Sequence, residues 1–217
     1  MRKQMAQTTD PIQQQLIAAR RNQILDAATQ VFAQKGFHRA TIRAVAQEAG
    51  VADGTIYTYF ASKDELLIGI LDRLNQTEAR PEHFDQMRHD GDFRTVFTEY
   101  LRVRLALIFE SLPVLQALLP EVMTNAALRQ RYFEQILRPT FVIGERFFSE
   151  RMAAGELRPL NVAVTVRALA GMVFGVAMMR LLGDIDRNEP VEELAGVMAA
   201  LLLDGLLPEG EGNDRGS

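Results

Sequence analysis

Residues 41–66 read TIRAVAQEAGVADGTIYTYFASKDEL. Ile42, Val45, Ala46 and Ala49 recur at helical spacing, so they share one face of a short first helix. Thr41 stands where an N-cap belongs, its hydroxyl placed to accept from an orphan backbone N–H. Gly50 ends that helix, because glycine takes the left-handed conformation without a Cβ clash. Val51, Ile56 and Phe60 are then the inward residues of a second helix, and Ala46 is small enough for the two to cross closely. Ser62-Lys63-Asp64-Glu65 has the form of a capping box opening a third helix. The arrangement predicts a helix-turn-helix, the unit that lays its second helix in the DNA major groove.

The remaining side chains of the second helix suit that role. Thr55, Tyr57, Thr58 and Tyr59 carry hydroxyls suited to phosphate oxygens, base edges and thymine methyls. Gly54 lets a duplex approach the backbone. Lys63 falls at a helix N-terminus, where backbone N–H groups also favour a phosphate. The plainer reading is a helical hairpin with a polar face and no nucleic acid. The agreement, in order, of small residue, glycine turn, hydroxyl-rich helix and capped helix favours DNA.

The string AGVADGTIYTYFASKDEL resembles the DNA-binding signature of the TetR family of one-component bacterial regulators, over about Arg20 to Leu74. The resemblance implies a homodimeric repressor whose C-terminal domain binds a small molecule and thereby releases operator DNA. It implies DNA contacts at Thr41, Arg43, Gly54, Thr55, Tyr57, Thr58, Tyr59 and Lys63. The chain departs from the commoner pattern at Ala52, where a capping serine is frequent, and at Asp53. Asp53 suits the helix dipole but repels phosphate.

The chain of 217 residues is long enough for one core or two small ones. Its charge is uneven: residues 1–73 sum to +2 and the remainder to −6. That gives a slightly basic head on an acidic body, too weak a bias to argue alone. The chain has no cysteine, which removes disulfides and thiolate chemistry and suits a reducing cytoplasm. Arg2 and Lys3 are followed by polar residues rather than an apolar run, so a cytoplasmic location is expected. A polar start at residues 1–9 is expected to be frayed, and a helix is expected from about Pro11 to Lys35, its first turns falling within an N-terminal arm (1–19). Its stripe of Ile24, Ala27, Ala28, Val31 and Phe32 packs on the helix-turn-helix. The reading head spans 20–74, with Leu66, Leu67, Ile70, Leu71 and Leu74 continuing the third helix as the single covalent link to the rest.

Residues 75–92 break the pattern and mark the boundary. His83 and His89 with Asp85 and Asp90 fit a polar loop better than a metal site, since their spacing matches no rigid i, i+4 pair. From 75 to 207 an all-α effector and dimerisation domain is expected. Helices are predicted over 93–111, over 113–123 with an interruption at Pro120, and over 126–153 with a break at Pro139. A tail at 208–217 is expected to be disordered. The last two helices, 162–182 and 191–206, contain the uncharged runs ALAGMVFGVAMM and LAGVMAALLL. Both runs are shorter than the roughly 18–20 residues of a bilayer span, which argues against a membrane. A helix apolar on all sides needs more than one cover, so these two are expected to pair with their copies across a two-fold axis. A central core within one subunit is the alternative.

With the resemblance, the aromatic and methionine residues imply an apolar effector cavity, with Phe97, Tyr100, Arg104, Leu107, Met123, Tyr132, Phe133, Ile136, Met172 and Met179 as candidate lining. Core packing is the competing reading of each. The string VADGTIYTYF is most similar to the branch that answers to fatty acyl-coenzyme A, although that similarity lies in the DNA-binding part. Arg102, Arg104, Arg138 and Arg180 are equal candidates to hold a ligand's acidic group. No metal and no cofactor are expected. An enzyme is disfavoured, because the three histidines and four serines form no catalytic spacing and no glycine-rich loop follows a strand. A helical adaptor that binds protein leaves the hydroxyl-rich helix unexplained.

Overall fold

The computed structural model describes residues 11–75, 93–185 and 189–206. The expectations for residues 1–9, for the histidine-bearing loop and for the tail lie outside these. Every regular element among the described residues is a helix, as the sequence predicts. In chain order they are α1 (Pro11–Lys35), α2 (Ile42–Glu48), α3 (Asp53–Tyr59), α4 (Lys63–Asn75), α5 (Phe93–Glu110), α6 (Leu112–Thr124) and α7 (Ala126–Tyr132). A π turn (Phe133–Leu137) follows, then α8 (Arg138–Ala153), α9 (Val162–Leu182) and α10 (Val191–Leu206).

The chain divides into two compact units. One comprises the described parts of Met1–Leu71 with Val114–Leu128, the other those of Asp72–Pro113 with Arg129–Ser217. Two expectations change here. Residues 114–128, assigned by sequence to the effector half, cluster with the helix-turn-helix. The link through α4 is also not single, because the chain passes between units after 71, 113 and 128. The apolar character of α6, with Glu121 its single charge, does not say which unit it packs in, so sequence could not place it.

In the first unit, Ile24, Ala28, Phe32, Val45, Ala46, Ile56, Leu66, Leu67 and Ile70 are sealed from solvent. Residues 11–23 of α1 are exposed, and the helix includes residues 11–19 of the stretch read as an arm. Thr41 caps α2 by accepting from the Ala44 N–H at 3.1 Å. Gly50 has φ 65°, and the Val51 N–H closes back on the Ala46 carbonyl, the six-to-one bond of a Schellman ending. Ser62 Oγ accepts from the Glu65 N–H, which is one half of the predicted capping box. Gly69 is a close approach: a Cβ there would meet Leu25 Cδ2 at 3.0 Å and Phe60 Cε1 at 3.2 Å.

The second unit is built on Phe97, Leu101 and Leu105 of α5, Phe147 and Phe148 of α8, Val166 of α9 and Ala195, Met198, Ala199 and Leu203 of α10. Phe147 and Phe148 meet edge to face at 5.5 Å, and Phe148 meets Phe97 in the same way at 6.3 Å. Arg94 ties α5 to Asp204 of α10, and Arg167 of α9 reaches Glu145 of α8 at 2.7 Å. Pro139 lies just past the π turn, which gives the expected interruption. A missing N–H and a ring beside the preceding turn favour the wider winding there. Pro120, by contrast, does not interrupt α6. Its ring is exposed, so the carbonyl left without a backbone donor can be hydrated.

The shortness of the uncharged runs does not by itself exclude a bilayer span. By length and composition α9, at 21 residues, qualifies, and only 11% of its most apolar window is buried. Counting uncharged runs stopped at Arg167 and Arg180, whereas a helix carries both charges within one apolar rod.

Burial sets the expected response to truncation. Ile24→Ala should lower stability by about 2–4 kcal/mol in urea unfolding. Ile12→Ala, at a side chain 65% exposed, should change it by less than about 0.5 kcal/mol.

Candidate nucleic-acid interface

Helix α3 turns one side into the first unit's core. Ile56 is fully buried and Phe60, just past the helix end, nearly so. At 100° per residue Gly54 and Thr58 lie opposite Ile56, with Tyr57 on the flank beside them. All three are exposed, Tyr57 at 56%. A Cβ placed on Gly54 would meet nothing within 4 Å, so this surface is open to an approaching backbone. Thr58 Oγ1 donates to the Gly54 carbonyl at 3.3 Å, leaving its lone pairs outward. Thr55 and Tyr59 are half-buried along the edge of the face rather than on it, because the two positions share the i, i+4 row beside Ile56. Thr41 and Arg43 are exposed at the start of α2. Asp53 is exposed in the first turn of α3, and Ala52 supplies no side-chain cap.

Lys63 is placed differently from its expected role at the surface. Its ammonium donates to the carbonyls of Phe37 (2.8 Å), Ala40 (3.2 Å) and His38 (3.4 Å). It also sits 4.3 Å from the centre of the Phe37 ring. Three donors meet three carbonyls, so Lys63 reaches a phosphate only by leaving this cage. Beneath it, Phe37 packs edge to face on Phe32 at 5.3 Å. The α1–α2 turn is thereby held from the α4 side.

The same turn is held a second time. His38 Nε2 lies 2.9 Å from Glu121 Oε1 of α6, the imidazole exposed and the carboxylate 13% exposed. Sequence reading missed this pair and the Lys63 cage, since each joins residues far apart in the chain and neither has a local motif. Gln23 of α1 adds a third long-range tie, donating to the Ala49 carbonyl at 2.7 Å.

The candidate effector residues divide. Phe97 belongs to the core of the second unit, with Tyr100 and Met172 packed against it. Ile136 is fully buried, and Leu107 and Tyr132 are half-buried. Phe133 (43% exposed) and Met179 (46%) lie at the surface, and Met123 (68%) is exposed in the other unit. These three do not line an enclosed cavity with the rest, because helical phase turns them outward. Arg104 caps the end of α4, donating to the carbonyls of Leu74 and Asn75. Asn75 Nδ2 in turn donates to Thr140 Oγ1 at 2.7 Å. Arg102 makes paired hydrogen bonds to Glu99, which hold that carboxyl below the usual carboxylate range. Arg138 pairs with Glu134, and Arg180 stacks 4.0 Å over Phe109.

Comparison with known proteins agrees with this geometry. Residues 24–70 match the family described as bacterial regulatory proteins, tetR family. The chain is 30% identical over 159 residues to the fatty acid metabolism regulator protein of Bacillus subtilis (strain 168), covering 70% of this chain and 77% of that one. It is 27% identical over 183 residues to the HTH-type transcriptional regulator UidR of Escherichia coli (strain K12), covering 80% and 85%. Among solved structures, FadR from Bacillus subtilis in complex with stearoyl-CoA superposes with a TM-score of 0.71 at 25% identity, covering 85% of this chain and 98% of that one. The exposed face of α3, its capped neighbours and these relatives together place the chain in the tetR family of bacterial regulatory proteins, as a DNA-binding transcriptional regulator.

Proposed function

We propose that the chain is a cytoplasmic, homodimeric repressor, without catalytic activity, that a small apolar molecule of the fatty acyl-coenzyme A or fatty acid class releases from its operator. The observation that carries the DNA part is the open face of Gly54, Tyr57 and Thr58, with nothing within 4 Å of the Gly54 Cβ position. Tyr57 and Thr58 enter the major groove, Thr55 and Tyr59 border it, and Thr41 and Arg43 hold the flanking phosphates. Lys63 joins them only on leaving its carbonyls. The reading head is the head of 20–74 enlarged by α6, and the effector-binding part is the remainder of 75–207.

A second copy covers α9 and α10. On α9, only Val166 and Ala177 are buried, while Val164, Phe174, Met179 and Leu182 are exposed. On α10, Val197 and Leu201 are exposed. A Cβ on Gly171 or Gly175 would meet nothing within 4 Å in one subunit, which leaves room for close approach of another helix. A membrane would cover α9 equally well by length, but the Arg167–Glu145 ion pair and the fit of α9 on α8 and α5 favour protein. The acyl-class effector rests on the stearoyl-CoA bound by the Bacillus FadR and on the apolar interior of the second unit. Phe97, Tyr100, Leu107, Tyr132, Ile136 and Met172 are its contacts under this reading.

Three outcomes follow. Arg43→Ala should reduce the salt slope of operator binding by about one unit, the amount one phosphate contact contributes. Lys63→Ala should leave that slope unchanged; fluorescence anisotropy across a salt series reads both. Gly175→Glu should leave helix content intact but convert the dimer to monomer in sedimentation, and a wild-type monomer that binds a palindromic site tightly would defeat the interface. For the effector, stearoyl-CoA affinity is measured with and without saturating operator. A hundredfold loss of operator affinity requires about 2.7 kcal/mol of coupling, and the same loss must appear in stearoyl-CoA affinity. Burying acyl CH₂ groups at about 0.8 kcal/mol each is sufficient to supply it. Equal stearoyl-CoA affinities in the two conditions would remove this class as the effector.

A further inference from the structure

We infer that Glu121, on α6, is a positioning residue for DNA binding, acting through His38 on the turn that presents Thr41 and Arg43. The inference rests on the proposed DNA contacts and adds to them a residue that touches no DNA.

The turn from Gly36 to Ala40 is short and leads directly into the α2 cap. Its backbone is bonded at both ends, the Gly36 N–H to the Phe32 carbonyl and the Ala40 N–H to the carbonyls of Gly36 and Phe37. Two elements grip its middle. From α4, Lys63 takes the carbonyls of Phe37, His38 and Ala40 and lies over the Phe37 ring. From α6, Glu121 Oε1 takes His38 Nε2 at 2.9 Å. The carboxylate is largely shielded while the imidazole is exposed, so the orientation is fixed from the α6 side.

The consequence is geometric. Three residues after His38, Thr41 closes the first turn of α2, and Arg43 follows it. A shift of α6 therefore moves the base of α2 without passing through the chain link at the end of α4. Val114–Leu128 belongs to the same compact unit as the helix-turn-helix while being continuous in chain with the second unit at both ends. Glu121 thus sits on a segment joined to the effector half and touches the turn that aims the reading head.

The test uses the full-length protein and a DNA duplex that it enriches from a random library. Glu121→Ala and His38→Ala should each weaken binding to that duplex about five-fold, the scale of one partly shielded charged contact. The double variant should be no weaker than either single one, as a shared interaction requires. Glu121→Gln, which keeps an oxygen for His38, should retain most of the affinity. The salt slope should stay at the wild-type value in all four, since no phosphate contact is lost. Thermal midpoints should fall by no more than the few degrees that one such contact is worth, a smaller change than a general loss of folding would give. Single variants that bind as wild type, effects that add in the double variant, or affinity losses that track falling midpoints would each overturn the inference. A wild-type protein that enriches no duplex overturns the DNA contacts and this inference together; the other outcomes overturn this inference alone.

Discussion

Two helices of seven residues carry the candidate DNA-facing surface, and helices this short do not hold their shape alone in water. Isolated helices below about 12–15 residues are marginal because nucleation is unfavourable and few bonds follow it. Everything else in the first unit answers that constraint. Ile24, Ala28 and Phe32 of α1 and Leu66, Leu67 and Ile70 of α4 are sealed from solvent together with Val45, Ala46 and Ile56, and α2 packs on α1 and α3. Thr41 and the left-handed Gly50 fix where α2 begins and ends. With α3 buried along Ile56, its other side is free to be polar and open. The recognition surface is what remains of a helix after its core-facing side has been used to hold it in place.

The second unit faces the opposite problem, a surplus of apolar surface. Its core is closed by the aromatic cluster around Phe97, Phe147 and Phe148, with α10 lying along α5. That arrangement buries Ala195, Met198, Ala199 and Leu203 but leaves Val197 and Leu201 outside. On α9 the imbalance is larger, for most of a 21-residue apolar helix is uncovered in one subunit. Exposed apolar area of this kind calls for a cover, which under the proposed dimer is a second copy. Gly171 and Gly175 have open space where a side chain would start.

How far these features were legible in the sequence depended on how local their causes are. The helix-turn-helix was readable because cap, glycine ending and inward apolar residues lie within a few positions of one another. Pro139 signalled a local change for the same reason, although the chain stays helical there and changes winding at 133–137 instead of breaking. Pro120 misled, since a proline interrupts a helix only where the freed carbonyl cannot find another partner or water. Met123, Phe133 and Met179 were unreadable as surface residues, because a methionine or aromatic side chain does not announce its helical phase. Thr55 and Tyr59 were assigned to the outer face on chemistry, but neighbouring elements leave them half-buried. Lys63 shows the limit most clearly. Its position at a helix start suggested an anion, and the partners it has are carbonyls of a turn 23 to 26 residues earlier.

That turn also changes how regulation can be thought about in this chain. A switch working through α4 alone would need the end of the helix, held by Arg104 and by the Asn75–Thr140 bond, to move as a rod. Because Val114–Leu128 is part of the first unit, the effector half also enters that unit through α6. Two rigid elements acting on one short turn favour discrete arrangements over graded ones, since packed side chains resist continuous deformation. The energy required is modest: about 1.4 kcal/mol changes affinity tenfold, comparable to a few hydrogen bonds exchanged at the turn. A ligand that favours one arrangement of α4 and α6 therefore needs no contact with the reading helix, only a difference in binding energy between the two arrangements.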